Sequence, residues 1–217
     1  MAQQIQLDVW GDLACWSRPE SKVERLTYPV PTPSGMRGVL SAVYSKPKEF
    51  YWQIDRIQVL NPIQYISFKR NEVKQLCGSK PFLVEETRTQ RQTVALRDVR
   101  YRVTATICKR ASFPGSEEQL AEQARRRIEA GKCFFQPSLG LREFPAYFAP
   151  VSGDAEPISL DLDLGYVLYD VFDLNSFEVT KKANPFISFF HARLEGGVLE
   201  VPPFDSPQVL KPESAPC

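Results

Sequence analysis

Arg37, Tyr44 and Lys46 fall in one short stretch, YPVPTPSGMRGVLSAVYSKPK at 28–48, and together could place a phenol beside two cations. Such a set suits proton transfer next to a phosphate. RNA carries its own nucleophile, the 2′-OH, so cleaving it requires only alignment, proton transfer and positive charge on the phosphate. A tyrosine with a few lysines or arginines can supply these, more weakly than a histidine would. The same residues also fit a plainer role, in which a packing helix ends in a tyrosine that covers a core edge.

What must position this set is a short helix. Pro29, Pro31 and Pro33 each push the preceding residue out of the helical region, giving an extended entry. Thr32 is an N-cap type and Pro33 suits the first helical position. Met36, Val39, Leu40 and Val43 then recur at i, i+3, i+4 and i+7, one apolar face. Arg37, Ser41 and Tyr44 lie on a neighbouring face, and Pro47 stops the helix. On this reading Arg37, Tyr44 and Lys46 are open to a ligand.

Other chemistries find no support. The 217 residues contain no P-loop, GxGxxG, GxSxG or HExxH motif. Carboxylates are scattered, and the single histidine, His191, lies in a predicted strand where a structural role is expected. Five cysteines, at 15, 77, 108, 133 and 217, share no CxxC spacing and suit reduced thiols in a cytoplasm. Neither a metal nor another cofactor is expected. The opening MAQQIQLDVW has no basic and apolar halves of a secretion signal, and no apolar run reaches membrane-spanning length.

Net charge is only +1 but unevenly placed. Residues 66–110 hold 11 Lys+Arg against 4 Asp+Glu, a balance of +7, and residues 150–217 hold 4 against 11, a balance of −7. A basic middle beside an acidic end fits a polyanion on one face; it equally fits two faces that attract each other or stay solvated. Arg18, Lys22, Arg25, Arg37, Lys69, Arg70, Arg88 and Arg91 are the candidate RNA-binding cations.

Ile5, Leu7 and Val9 alternate with polar neighbours as a half-buried strand, and residues 50–68 read as a long strand broken at Pro62. Residues 69–97 lack a period and are expected as a basic loop or ragged hairpin. Val99, Tyr101, Val103, Ala105 and Ile107 alternate with Arg100, Arg102, Thr104 and Thr106, predicting a strand with a basic, hydroxyl-bearing outer side. Ser116 and Gln119 form a capping box, Leu120, Ala124 and Ile128 an apolar stripe, and Gly131 a stop. The Arg125–Arg127 run reads as a solvated face. A further strand is expected from about Leu141. The order is that of a ferredoxin-like βαββαβ fold of the α+β class, the architecture also used by RNA-recognition domains. This domain is expected over 1–151, with a basic insertion at about 66–97. A small antiparallel β-domain, with its second strand pair joined at Gly196-Gly197, is expected over 152–217. A poorly ordered tail follows from residue 202.

Several stretches, in order, carry a resemblance: WGD at 10–12, RPESKVERLTY at 18–28, PSGMRGVL at 33–40, KP at 46–47 and DRIQVLNPI at 55–63. RNEV at 70–73, QRQ at 90–92, LRDVRY at 96–101, AG at 130–131, QPSLGLREFPA at 136–146, DLGY at 163–166 and GVLEVPP at 197–203 complete it. Together they resemble the fifth Cas protein of the type I-C CRISPR system, of the repeat-associated superfamily. The resemblance implies a ferredoxin-like domain followed by a small β-domain, and a metal-independent endoribonuclease that cuts CRISPR repeat hairpins. It further implies retention on the 5′ handle of the guide RNA, partnership with other subunits of the surveillance complex, and contact with target DNA near its flanking motif. The family's catalytic tyrosine matches Tyr44. Its Lys-His pair aligns with Gln119-Leu120, and a second family histidine aligns with Thr106. With both histidines replaced, Lys46 and Lys109 are the candidates to share catalysis with Tyr44; a subunit that binds the handle without cutting is the alternative.

Overall fold

The computed structural model describes residues 3–21, 23–74, 78, 82–176 and 186–212. The first strand, Gln4–Ala14 (β1), buries Ile5, Leu7 and Val9 and turns Gln4, Gln6 and Trp10 outward, as its alternation predicts. A two-residue strand, Arg25–Leu26 (β2), precedes the helix Pro33–Val43 (α1). The Thr32 hydroxyl accepts the Gly35 N–H at 3.1 Å, and Met36, Val39, Leu40 and Val43 are buried. Gly35 is required by a close approach: a Cβ there would stand 2.7 Å from the Trp16 ring.

Phe50–Val59 (β3) and Tyr65–Val73 (β4) replace the expected long strand, with the break at residues 60–64 around Pro62. Past a four-residue helix, Val84–Thr87 (α2), the chain enters Arg88–Lys109 (β5), 22 residues long. Its first half pairs antiparallel with β4 from Arg88↔Val73 to Leu96↔Tyr65, so the basic segment is a two-stranded arm. Its second half lies between β1 and β3, antiparallel to both. The helix Glu117–Glu129 (α3) carries the complete capping box of Ser116 and Gln119 and ends before Gly131, whose φ is +61°.

Tyr147–Pro150 (β6) starts later than the strand expected from Leu141. Backbone bonds from Leu139 to Phe144 (2.8 Å) and from Phe144 to Leu141 (3.0 Å) hold 139–144 as a tight turn instead. Gly140 (φ +85°) permits that turn, because a Cβ would lie 1.9 Å from the Cys15 carbonyl oxygen.

Leu162–Asp170 (β7), Ser188–Glu195 (β8), Val198–Glu200 (β9) and Val209–Leu210 (β10) continue the sheet, and β9 pairs with β3 at Ile57↔Leu199. Gly196 and Gly197, both at positive φ, turn β8 into β9 as expected. The tail does pair: Val209 and Leu210 face Phe190 and Phe189, so it is ordered at least that far.

The main order is β10-β8-β9-β3-β5-β1-β6, and only β2–β5 among the described pairings is parallel. The fold is mixed α/β with a mostly antiparallel sheet. α1 carries the chain from β1 to β3, with β5 between them. Side chains of α1, α3 and the inward sheet face share one buried core. Among the described residues no helix is long and apolar enough to cross a membrane.

Candidate functional site

α1 ends without a glycine, and donors from elsewhere satisfy its last carbonyls. The Phe134 N–H reaches Ala42 O at 2.7 Å, Arg127 Nε reaches Val43 O at 2.6 Å, and Trp52 Nε1 reaches Tyr44 O at 2.8 Å. Tyr44 itself leaves the helix in an extended conformation (φ −149°, ψ 121°) and is 1% exposed. Its ring stacks on Phe50, with centroids 5.2 Å apart, and its hydroxyl donates to Gln123 Oε1 at 2.8 Å.

Tyr44 is therefore closed to a ligand as it stands, contrary to the exposure its helix position suggested. The groups over its hydroxyl are half-buried side chains of a different helix and of the following loop, which the spacing within α1 could not reveal. Burial raises the phenol's pKa above its ordinary value; Lys46 and Arg127 pull the other way by favouring the phenolate. The Lys46 ammonium lies 2.9 Å from Glu49 Oε2, and this bond holds its pKa above the usual lysine value.

Lys109 pairs with Phe50 across the β3–β5 ladder, and its ammonium donates to Gly115 O at 3.2 Å, just ahead of α3. Tyr44, Lys46 and Lys109 thus gather at one sheet end. Gln119 is spent in the α3 cap and Leu120 is buried, so no titratable group occupies the Lys-His position. Thr106 donates to Asp55 Oδ2 at 2.6 Å.

Most of the candidate RNA-binding cations among the described residues are paired within the chain. Lys22 lies outside the described residues. Arg37 is locked in a two-pronged bond to the buried carboxylate of Asp170, at 2.6 and 2.9 Å. Arg25 and Arg91 share Glu72. Arg70 pairs with Glu143 and lies over the rings of Phe68 and Phe144. Arg18 covers the Tyr28 ring at 4.8 Å and contacts Glu20. Lys69 and Arg88 are exposed on the arm and have no partner among the described residues. The outer face of β5 is also less basic than its sequence suggests. Arg100 and Arg102 both turn onto buried Asp8, at 3.1 and 2.8 Å, and Arg102 reaches the carbonyls of Gly153 and Ala155.

Two side chains of α3 that sequence reading missed reach the end of α1, Gln123 and Arg127. Arg127 belongs to the arginine run taken as solvated, yet its side chain is half-buried on α1. Gln123 and Arg127 follow Leu120 at i+3 and i+7 and flank Ala124 and Ile128, so the periodicity of α3 places both beside its buried stripe. His191 lies on strand β8, where a strand was expected, half-exposed, 3.3 Å from Asp163 Oδ1 and edge-on to Tyr166. The alternation of Phe190, Ala192 and Leu194 with His191, Arg193 and Glu195 predicts that outward position.

Known proteins resemble the chain over nearly its whole length. The Cas5d family profile, described as CRISPR-associated protein (Cas_Cas5), matches residues 4–202. The "CRISPR pre-crRNA endoribonuclease Cas5d" of Thermus thermophilus is 44% identical over 212 residues, covering 92% of this chain and 91% of its own. That of Mannheimia succiniciproducens, with the same name, is 38% identical over 235 residues, covering 97% and 100%. Two solved structures share the fold. One is the functionally uncharacterized protein SMU1763c from Streptococcus mutans, with TM-score 0.67, 17% identity and 96% and 97% of the two chains covered. The other is a CRISPR-associated protein, with TM-score 0.68, 18% identity and 96% of each chain covered. With a profile match over 4–202 and two relatives above 30% identity, the chain belongs to the Cas5d family of CRISPR-associated proteins.

Proposed function

We propose that this protein is a metal-independent endoribonuclease that cuts CRISPR repeat hairpins in precursor guide RNA. It then stays on the 5′ handle as a subunit of a type I-C surveillance complex, in the cytoplasm and close to the flanking motif of target DNA. The observation that carries the reading is the Tyr44 phenol, held at the end of α1 with Lys46 two residues on and with Arg127, whose Nε reaches Val43 O at 2.6 Å, close by. The names of the two relatives, both above 30% identity, support the same activity.

In this reading β6-β1-β5-β3 with α1 and α3 is a ferredoxin-like unit over 1–151, the arm is its basic insertion at about 66–97, and 152–217 is a small β-domain. The hairpin enters beside Gln123, which yields the Tyr44 hydroxyl to the RNA. Tyr44, in its phenolate form, takes the 2′-OH proton, the 2′ oxygen attacks the adjacent phosphorus, and the 5′ oxygen leaves. The Lys46 ammonium protonates that leaving oxygen, and Lys109 and Arg127 offset charge on the phosphate. The products are a 2′,3′-cyclic phosphate and a 5′-hydroxyl.

The closed position of Tyr44 favours a second reading, a handle-binding subunit that does not cut. One experiment separates them: incubation of the purified protein with its own repeat RNA in EDTA, with the ends of any product identified. Cleavage at the hairpin base with a cyclic phosphate supports the nuclease. Binding without cleavage, with or without Mg²⁺, supports the second reading; cleavage only with Mg²⁺ rejects metal independence.

A further inference from the structure

Phe134 and Phe135 are 57% and 63% exposed, an unusual setting for two adjacent phenyl rings. The segment carrying them is firmly held. Phe134 N–H is bonded to Ala42 O at 2.7 Å, and the Gln136 amide donates to Ala146 O at 2.8 Å. The rings are thus displayed from a fixed backbone that abuts the last turn of α1, immediately before Tyr44. The Arg127 guanidinium lies 4.2 Å from the Phe134 ring centre while its Nε holds Val43 O, so one side chain links the rings to the helix end. The surroundings are cationic: residues 125–132 hold Arg125, Arg126, Arg127 and Lys132 against Glu129 alone.

We propose that Phe134 and Phe135 are a stacking platform for an unpaired RNA base flanking the cleaved bond, and that they help set where the hairpin is cut. The inference rests on the RNA-processing reading above. Sequence-specific proteins commonly hold splayed RNA bases on aromatic faces and arginine planes. A phenyl ring accepts any base, so the platform fixes position and leaves base identity to other contacts. The local cations favour a nucleic-acid strand over an apolar protein surface as the occupant.

The test uses the protein's own repeat RNA carrying 2-aminopurine, a fluorescent base quenched on stacking, at each position flanking the hairpin base in turn. Wild-type protein quenches the probe at one position. Replacing both phenylalanines by leucine keeps the apolar surface, abolishes that quenching and weakens binding about tenfold to a hundredfold. Replacing both by tyrosine retains the quenching. Quenching without cleavage by the wild type removes the nuclease reading and leaves the platform standing. Equal quenching, or an unchanged cut site and rate in a cleaving leucine variant, overturns the platform. So does a leucine variant that binds RNA normally but no longer associates with other complex subunits, which would assign the rings to protein docking.

Discussion

The Tyr44 phenol is closed off beneath Gln123, with Lys46 and Arg127 acting on it, whereas the His191 imidazole stands open on β8 beside Asp163. By residue type the preference runs the other way, since histidine is the side chain best suited to proton exchange near neutrality and tyrosine is poorly suited. By surroundings it reverses. Asp163 lies between His191 and Arg193, Glu200 lines the cavity beside them, and the nearby cations Arg56 and Arg193 are already paired. An RNA phosphate would meet mostly carboxylates there; at Tyr44 it would meet Lys46 and Arg127 against Glu49, which pairs with Lys46. For a polyanionic substrate, the field around a group decides its use as much as its acidity does.

Four measurements break or sharpen that contrast. The largest effect is expected at Tyr44 itself: Tyr44→Phe slows single-turnover cleavage on the order of 10²-fold or more while hairpin affinity holds. A variant that cuts at the wild-type rate would reduce Tyr44 to packing. The next is the pH profile. Burial sets the Tyr44 pKa above its ordinary value, so the phenolate fraction grows about tenfold per pH unit through pH 7 to 9. The raised pKa of Lys46 keeps its ammonium available over that range. The rate should climb throughout, and a plateau from pH 7 would exclude the phenolate as the base.

A smaller effect is expected on the arm. Replacing Lys69, Arg70, Arg88 and Arg91 together by glutamine should weaken repeat binding roughly tenfold and flatten its salt dependence. Of these four, only Lys69 and Arg88 lack a partner among the described residues, so the slope of log affinity against log salt should fall by about two units, from two phosphate contacts rather than four. A slope unchanged in filter-binding titrations would place the RNA elsewhere. Smallest of all is His191→Ala, expected to leave cleavage and affinity within about twofold. A loss approaching that of Tyr44→Phe would invert the comparison and move proton transfer to β8.

Much of the scaffold was legible because local signals and packing agree. Thr32 and Pro33 open α1, Ser116 and Gln119 open α3, and the alternation in β1 and β5 names their buried faces. The arm was harder, since its half-buried positions, Phe68, Arg70, Glu72, Thr89 and Arg91, are mostly polar, so no apolar period of two develops before Thr93. The site was legible only as a position. Tyr44 lies where the resemblance puts it, but its cover, Gln123, comes from 79 residues away, and nothing local to α1 encodes that contact. Arg37 shows the same gap from the other side. Read as a ligand group from its place on the helix, it answers a buried carboxylate 133 residues on.

β5 also has a mechanical consequence. Its residues run from the arm to Lys109 as one strand with a single left-handed residue, Asp98 (φ +52°), about 70 Å if fully extended at about 3.3 Å per residue. The bonds to its neighbours lie across the strand. A pull on the arm along that axis would load the ladders to β1 and β3 in shear. Those bonds would have to yield together rather than one after another. Force directed sideways would instead peel β4 from β5 a pair at a time. The protein should therefore hold firm when dragged lengthwise and let go when lifted at the arm.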